Sequence, residues 1–188
     1  MSYEIAIIGA GPAGASAALF AAKAGKKTLL LDHGKSMTAR AWVENHYGVD
    51  GIEGPKLLEL GKEQATKFGA DLKEEEVLSI SEQADEYVLE TANGTYLTKH
   101  VILATGAIAQ LAEKSGIATK EGSEPRIKQV VDVDASGKTK KERIWAAGTV
   151  ADQSVHTIIT AGDGAKVAIN VISELNGERY VDHDVLKA

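Results

Sequence analysis

The sequence predicts an α/β domain of three layers, with a central parallel sheet and a small antiparallel β-meander. Three observations carry this. Ile5, Ala6, Ile7 and Ile8 form a short apolar run, the size of a strand buried on both faces. Gly9-x-Gly11-x-x-Gly14 follows at once and opens an alanine-rich stretch, Ala13–Ala24, that reads as a helix. A second apolar run, Lys27–Leu31, closes on Asp32. Strand, glycine turn, helix and strand in direct succession make a βαβ unit, and such units build parallel sheets.

Each glycine has a separate reason to be there. Gly9 permits the tight turn, Gly11 lets a pyrophosphate approach the backbone, and Gly14 lets the helix lie close to the strand. Pro12 and Ala13, at the junction of turn and helix, are candidate binding residues, and the helix's free N–H groups and positive end then face the phosphates. Asp32 lies 18 residues past Gly14, near the spacing of a carboxylate that accepts from an adenosine ribose hydroxyl. The package predicts a Rossmann-like site for an adenine dinucleotide. NAD and FAD share this half-site, so these residues do not choose between them.

Composition narrows the class. A chain of 188 residues, 44% hydrophobic and 26% charged, suits one globular domain. With net charge −6 and no basic cluster, nucleic acid is not expected as a partner. No apolar run approaches a membrane span. The first strand carries Glu4 and starts at the third residue, which leaves no room for a signal peptide, so the expected compartment is cytoplasmic. There is no cysteine, which excludes disulfides, thiolate metal sites and an internal dithiol relay. Histidines 33, 46, 100, 156 and 183 show no close ligand spacing, and no metal site is expected.

After Asp32 comes an irregular stretch, 33–54, carrying His33, Lys35, Arg40, Trp42, Asn45, His46 and Tyr47. It follows the carboxyl end of a strand, where open α/β sheets bind ligands. Pro55–Phe68 reads as a helix with Leu57, Leu58 and Leu60 toward the core, ended by Gly69. Glu74–Ser81, Tyr87–Thr91 and Thr95–His100 read as strands, the last two joined by an Asn93-Gly94 hairpin turn. Val101–Ala104 reads as a separate buried strand leading into Thr105-Gly106. In 108–142 only a helical turn at Gln110–Lys114 and a strand at Ile127–Val133 are legible. Arg143–Ala147 reads as a strand closed by Gly148-Thr149, with Trp145 in the core. Ile158–Leu175 reads as a long helix whose Gly162 and Gly164 suggest close approach of another surface, with Asp163 as a first-turn carboxylate.

With both ends in view, the chain resembles the FAD-binding domain of the thioredoxin reductase-like pyridine nucleotide–disulfide oxidoreductases. The resemblance rests on five segments in the family's order: IAIIGAGPAGASAALFAAKAG, WVENHYGVDGIEGPKLLELGKEQATKFGAD, VILATGA, RIWAAGTV and HTIITAGDGAKVAINVI. The late segments imply FAD rather than NAD. The resemblance further implies that Gly9, Gly11 and Gly14 cradle the FAD pyrophosphate and that Asp32 meets the adenosine ribose, with His33 and Lys35 nearby. Val77 would meet the adenine through its backbone. Ala104, Thr105 and Gly106 would pass near the phosphates, and Gly148, Thr149 and Val150 would contact ribityl and pyrophosphate. Asn45 would lie beside the isoalloxazine. The start of the last helix, His156, Thr157 and Ile158, would point at the flavin pyrimidine edge, where negative charge grows on reduction. His156 would there donate a hydrogen bond or relay a proton as a catalytic residue.

Departures from the family pattern are equally informative. Thr149 stands where the family has aspartate, and Val155 and His156 stand where it has Arg-Gln. About forty residues separate the ATG strand from AAGT, where the family inserts a whole NADPH domain, and the thioredoxin reductase CxxC pair is missing. The expectation is a single FAD-binding domain over 1–188, with 1–107 and 143–177 forming the cofactor site and 108–142 a short connector. As an oxidoreductase it would pass electrons from NADH, NADPH or a partner protein through FAD to an acceptor, with a homodimer or docked partner covering the flavin. The alternative is a non-catalytic flavin sensor or cofactor-holding subunit. A short-chain dehydrogenase reading fails on its Tyr-x-x-x-Lys pair, since Tyr96 is followed four places later by His100.

Overall fold

The computed structural model describes residues 2–182 and 184–186; His183 lies outside them. In chain order the elements are β1 (Ser2–Ile8), α1 (Pro12–Lys23), β2 (Thr28–Leu31), a 3-10 turn (Met37–Arg40), β3 (Trp42–Val43), β4 (Ile52–Glu53), α2 (Gly54–Lys67), β5 (Asp71–Lys73), β6 (Val77–Gln83), β7 (Glu86–Thr91), β8 (Gly94–Leu103), α3 (Gln110–Lys114), β9 (Thr119–Glu121), β10 (Gln129–Val131), β11 (Ile144–Ala146), a second 3-10 turn (Gly148–Ala151) and α4 (Thr157–Asn176).

Five parallel strands form the heart of the sheet. β1 lies between β2 and β8, β5 adds beyond β2, and β11 adds beyond β8. Both faces of β1 are covered, as its unbroken apolar run requires. Ile5 and Ile7 pack with Leu30, Ile102 and Trp145 beneath α1 and α4. Ala6 and Ile8 pack with Leu29, Leu31, Val101 and Leu103 against the meander side.

The predicted meander is present but is not separate from the main sheet. β8 is one strand of 10 residues rather than two. Its first half pairs antiparallel with β7 and its second half parallel with β11, while β1 runs along its other edge. The strand expected to begin at Glu74 begins at Val77. The preceding Asp71–Lys73 is instead a short parallel strand beside β2, too brief for an alternation pattern to announce it.

One helix turns differently from its apolar pattern. On α2 the packed stripe is Gly54, Leu58, Gly61 and Ala65, so Leu60 falls off it and is exposed. A Cβ on Gly61 would already touch the Ala15 side chain at 3.0 Å, which shows how closely α2 lies on α1. On α4, Ile158 is exposed, and the buried face runs through Thr160, Gly164, Val167, Ala168 and Val171. A Cβ on Gly164 would fall 2.0 Å from the Ala13 carbonyl oxygen, while one on Gly162 meets open space. Close approach is therefore the business of Gly164 alone. Asp163 is not in the first turn; it is buried one turn further in.

The stretch 33–54 is less irregular than its sequence. Its 3-10 turn is followed by the β3–β4 pair, and Gly54 clamps it to α2. The Gly54 N–H donates to the Ala41 carbonyl at 2.8 Å, and a Cβ there would lie 1.6 Å from the Thr38 oxygen. The 108–142 segment holds α3 and the antiparallel β9–β10 pair, so it is more than a bare connector.

Candidate functional site: a two-lobed cleft at the carboxyl end of the sheet

β1, β2, β8 and β11 all end at the same edge, and the loops that follow them wall a cleft of two adjoining cavities. One, of about 350 Å³, is lined by Gly9–Ala13, Asp32, His33, Lys35, the Ser36–Thr38 turn, Ala104–Ile108, Thr149, Thr157 and Thr160. The other, of about 360 Å³, shares Gly9, His33, Lys35, Thr105 and Ile108 and is closed by Val77, Leu78, Leu111 and Lys114. Cavities of this size suit a small-molecule or cofactor site.

The glycine turn is built as its spacing predicts. Gly9 has φ +103° and donates its N–H to the Leu31 carbonyl at 2.7 Å. A Cβ at Gly9 would lie 2.4 Å from the Ala104 oxygen, and one at Gly14 would lie 1.7 Å from the Gly9 oxygen. Neither position admits a side chain. A Cβ at Gly11 would meet only the Ser36 hydroxyl, at 3.3 Å, so its face toward the cleft is open. Gly11 caps α1 without a side chain, and no acidic residue stands in the first turn. The positive end of α1 is thus left for a ligand, as an anion site requires. These features fit a pyrophosphate-bearing nucleotide.

Asp32 sits on the opposite wall at the end of β2, 5% exposed. Burial pushes its carboxyl up, but the Lys62 ammonium and the backbone N–H groups of Gly34 and Ala10 outweigh it and hold it below the usual carboxylate range. The Gly34 N–H donates to Oδ1 at 3.1 Å, and the Lys62 Nζ contacts Oδ2. Beside it the His33 Nδ1 accepts from the Lys35 N–H at 3.3 Å, and the exposed Lys35 ammonium lies 3.6 Å from Glu76.

The far wall comes from β8, β11 and α4. The Thr105 hydroxyl donates to the Ile108 carbonyl at 2.6 Å and shapes the loop through Gly106, whose φ is +69°. Gly148 has φ +76° and lies against the Ala13 methyl, 2.7 Å from where its own Cβ would stand. Its N–H donates to the buried Asp163 carboxylate at 2.7 Å, and Lys166 pairs with the other oxygen at 2.6 Å. This anchors the turn that presents Thr149 to the cleft.

Of the residues singled out from the sequence, Gly9, Gly11, Pro12, Ala13, Asp32, His33, Lys35, Val77, Ala104, Thr105, Gly106, Thr149 and Thr157 come together on the cleft walls. Gly14, Gly148, Asn45, Val150, His156 and Ile158 do not line it. Gly14 and Gly148 act beneath it as packing and anchor positions. Val150 turns its side chain into the core with Val131 and Ala146. Asn45 is exposed, and so is His156, at the start of α4, whose ring pairs with the Ser154 hydroxyl at 2.8 Å. His46 instead reaches the Thr157 hydroxyl at 3.0 Å, at the cleft wall. Trp42 and Tyr47 are 62% and 93% exposed. Sequence reasoning missed Lys62, Ser36, Thr38 and Thr160. The Gly54-Pro55 dipeptide was the available signal for the Ser36–Thr38 wall, because only a glycine fits against Thr38. Among the described residues no three His, Asp or Glu side chains converge as a metal site would need, and no helix is long and apolar enough to cross a membrane.

Comparison with known proteins agrees with this geometry. Residues 3–132 match the profile of the family described as pyridine nucleotide-disulphide oxidoreductase. The chain is 39% identical over 119 residues to a bifunctional thioredoxin reductase/thioredoxin of Mycobacterium leprae, covering 61% of this chain and 26% of that protein. It is 41% identical over 114 residues to a thioredoxin reductase of Peptoclostridium litorale, covering 58% of this chain and 36% of that protein. The chain thus spans well under half the length of either relative. Its fold is that of solved thioredoxin reductases. The one from Gloeobacter violaceus superposes with a TM-score of 0.85 at 17% identity, over 99% of both chains. The atypical one from Desulfovibrio vulgaris Hildenborough gives 0.78 at 19% identity, over 94% of this chain and 99% of that one. With more than half its length matched by the family profile and its glycine turn, Asp32 and far wall assembled at one sheet edge, the chain belongs to the pyridine nucleotide-disulphide oxidoreductase family.

Proposed function

We propose that this chain is a single FAD-binding domain and an oxidoreductase that passes electrons from NADH, NADPH or a partner protein to an acceptor still to be identified. The observation that carries the reading is the side-chain-free end of α1, set between a glycine turn and the buried Asp32 carboxylate. The N–H groups there would hold the pyrophosphate, Asp32 the adenosine ribose, and Val77 the adenine in the second cavity. Thr105, Gly106 and Thr149 would line the path to the flavin. Bound FAD supplies the redox chemistry, taking up a hydride and releasing electrons.

The chain's own part is to bind, orient and tune. The start of α4, with Thr157 and Thr160 on the wall, brings its positive end toward the cleft. His156 remains a candidate proton donor at that end. His46 is joined to Thr157 on the wall at that same end. The exposed Trp42, Tyr47, Val155 and Ile158 would be covered by a second copy of the chain or a docked partner. With no cysteine, the chain offers no thiol pair of its own to a disulfide. That absence, and the 108–142 segment where a nicotinamide domain would interrupt the site, support the second reading of a flavin-holding subunit or sensor.

Visible spectra of the purified protein under anaerobic conditions test the proposal. Flavin bands that bleach with NADH or NADPH support a self-sufficient reductase. Bands that bleach only with dithionite support the subunit reading. Colourless protein that takes up no FAD overturns both.

A further inference from the structure

The Asp32 carboxylate is the acidic group of the cleft that the sequence fingerprint foresees, but its partner is not part of any fingerprint. Lys62 arrives from α2, thirty residues further along, with a side chain 24% exposed. α2 contributes no residue to the lining of either cavity. Lys62 therefore reaches the ligand space only through Asp32.

The surrounding groups leave this task to Lys62. His33 and Lys35 face the cleft, with Lys35 committed toward Glu76 at 3.6 Å. Lys73, on the neighbouring β5, pairs with Asp71 at 2.9 Å. Among the described residues only Lys62 forms an ion pair with Asp32. Without that cation, burial favours the protonated carboxyl against the Gly34 and Ala10 N–H groups alone, and a protonated carboxyl gives up an acceptor oxygen. Ribose hydroxyls are donors and need that oxygen.

We infer that Lys62 is a positioning residue for nucleotide binding, fixing the Asp32 carboxylate as an acceptor so that the adenosine half of the cleft can take a ribose. This rests on the FAD reading above and deepens it: the cofactor half-site is completed by a residue that never touches the cofactor.

The test is calorimetric titration of flavin-stripped protein with ADP and with FAD from pH 5 to 8, for the wild type, Lys62→Met and Lys62→Arg. The wild type and Lys62→Arg should bind both with little change across the range. Lys62→Met should bind ADP about tenfold or more weakly at the acid end, the scale of a lost charged hydrogen bond, and recover as pH rises. In an Asp32→Asn background, which cannot titrate, Lys62→Met should leave the pH profile flat. Should Lys62→Met fail to fold, Lys62→Gln, which keeps a donor without the charge, carries the same comparison. A Lys62→Met protein that matches the wild type, or that weakens equally at every pH, overturns the positioning role. A wild type that binds neither ADP nor FAD overturns the FAD reading itself.

Discussion

Asp163 accepts the backbone N–H of Gly148 at 2.7 Å, from a carboxylate only 7% exposed. It ties the last helix to the turn after β11, which no sequence pattern links. Asp163→Ala would leave the Gly148 N–H buried and unpaired and should cost about 1–3 kcal/mol in urea unfolding. Asp163→Asn keeps an acceptor oxygen and should cost less. Equal losses in the two variants would show that the hydrogen bond is not what Asp163 supplies.

Gly162 and Gly164 offer an internally controlled pair. Gly164→Ala would drive a methyl group into the Ala13 backbone, 2.0 Å from its oxygen, and should destabilise by about 3 kcal/mol. Gly162→Ala fills open space on the exposed face of the same helix. It should raise stability by about 0.5–1 kcal/mol through helix propensity. Thermal melts of the two variants should therefore move in opposite directions.

His100 predicts an acid limit. Burial is the main cause that lowers its pKa from 6.5 to about 4; Arg143, Lys138 and Lys99 reinforce it and Glu174 opposes it. Its Nδ1 has no hydrogen-bond partner. Between pH 6.5 and 4 the unfolded chain binds the proton that the folded chain refuses. The contribution of the neutral ring is then fully present above 6.5 and is lost as pH falls through that window, by about 3 kcal/mol in all. His100→Leu should remove this part of the pH dependence. Chemical unfolding at pH 7 and 4.5, compared between wild type and variant, measures it.

The His46–Thr157 bond holds the 33–54 segment to the start of α4. A double-mutant cycle of His46→Phe and Thr157→Val should give a coupling of about 0.5–1.5 kcal/mol. A coupling of zero would mean that the two segments meet without this bond.

What was legible in the sequence was local. β1, the glycine turn, α1, β2 and Asp32 follow one another within 32 residues, and each leaves its mark on the next through spacing. The Lys62–Asp32 and Asp163–Gly148 contacts were not legible, because each joins elements whose separation in the chain carries no period. β5 and β9 were missed because three residues cannot display alternation. Leu60 was misplaced for another reason. Small residues, Gly61 on α2 and Gly164 on α4, set the packed face by letting backbones approach, so the larger apolar side chains were turned aside. The same preference for smallness was legible at Gly9 and Gly14, where a tight fit to backbone leaves no room for a side chain.

Gly164 against Ala13 also joins the second element of the chain to its last helix. Walls of one cleft thereby come from residue 9 and from residue 160, and neither end can unfold without opening it. A ligand seated there at a hundred times its Kd would add about 2.7 kcal/mol to the stability of the entire domain rather than of one loop. A marginal domain that loses this increment spends more time unfolded and is cleared faster by proteases. The amount of this protein in a cell would then follow the supply of that ligand.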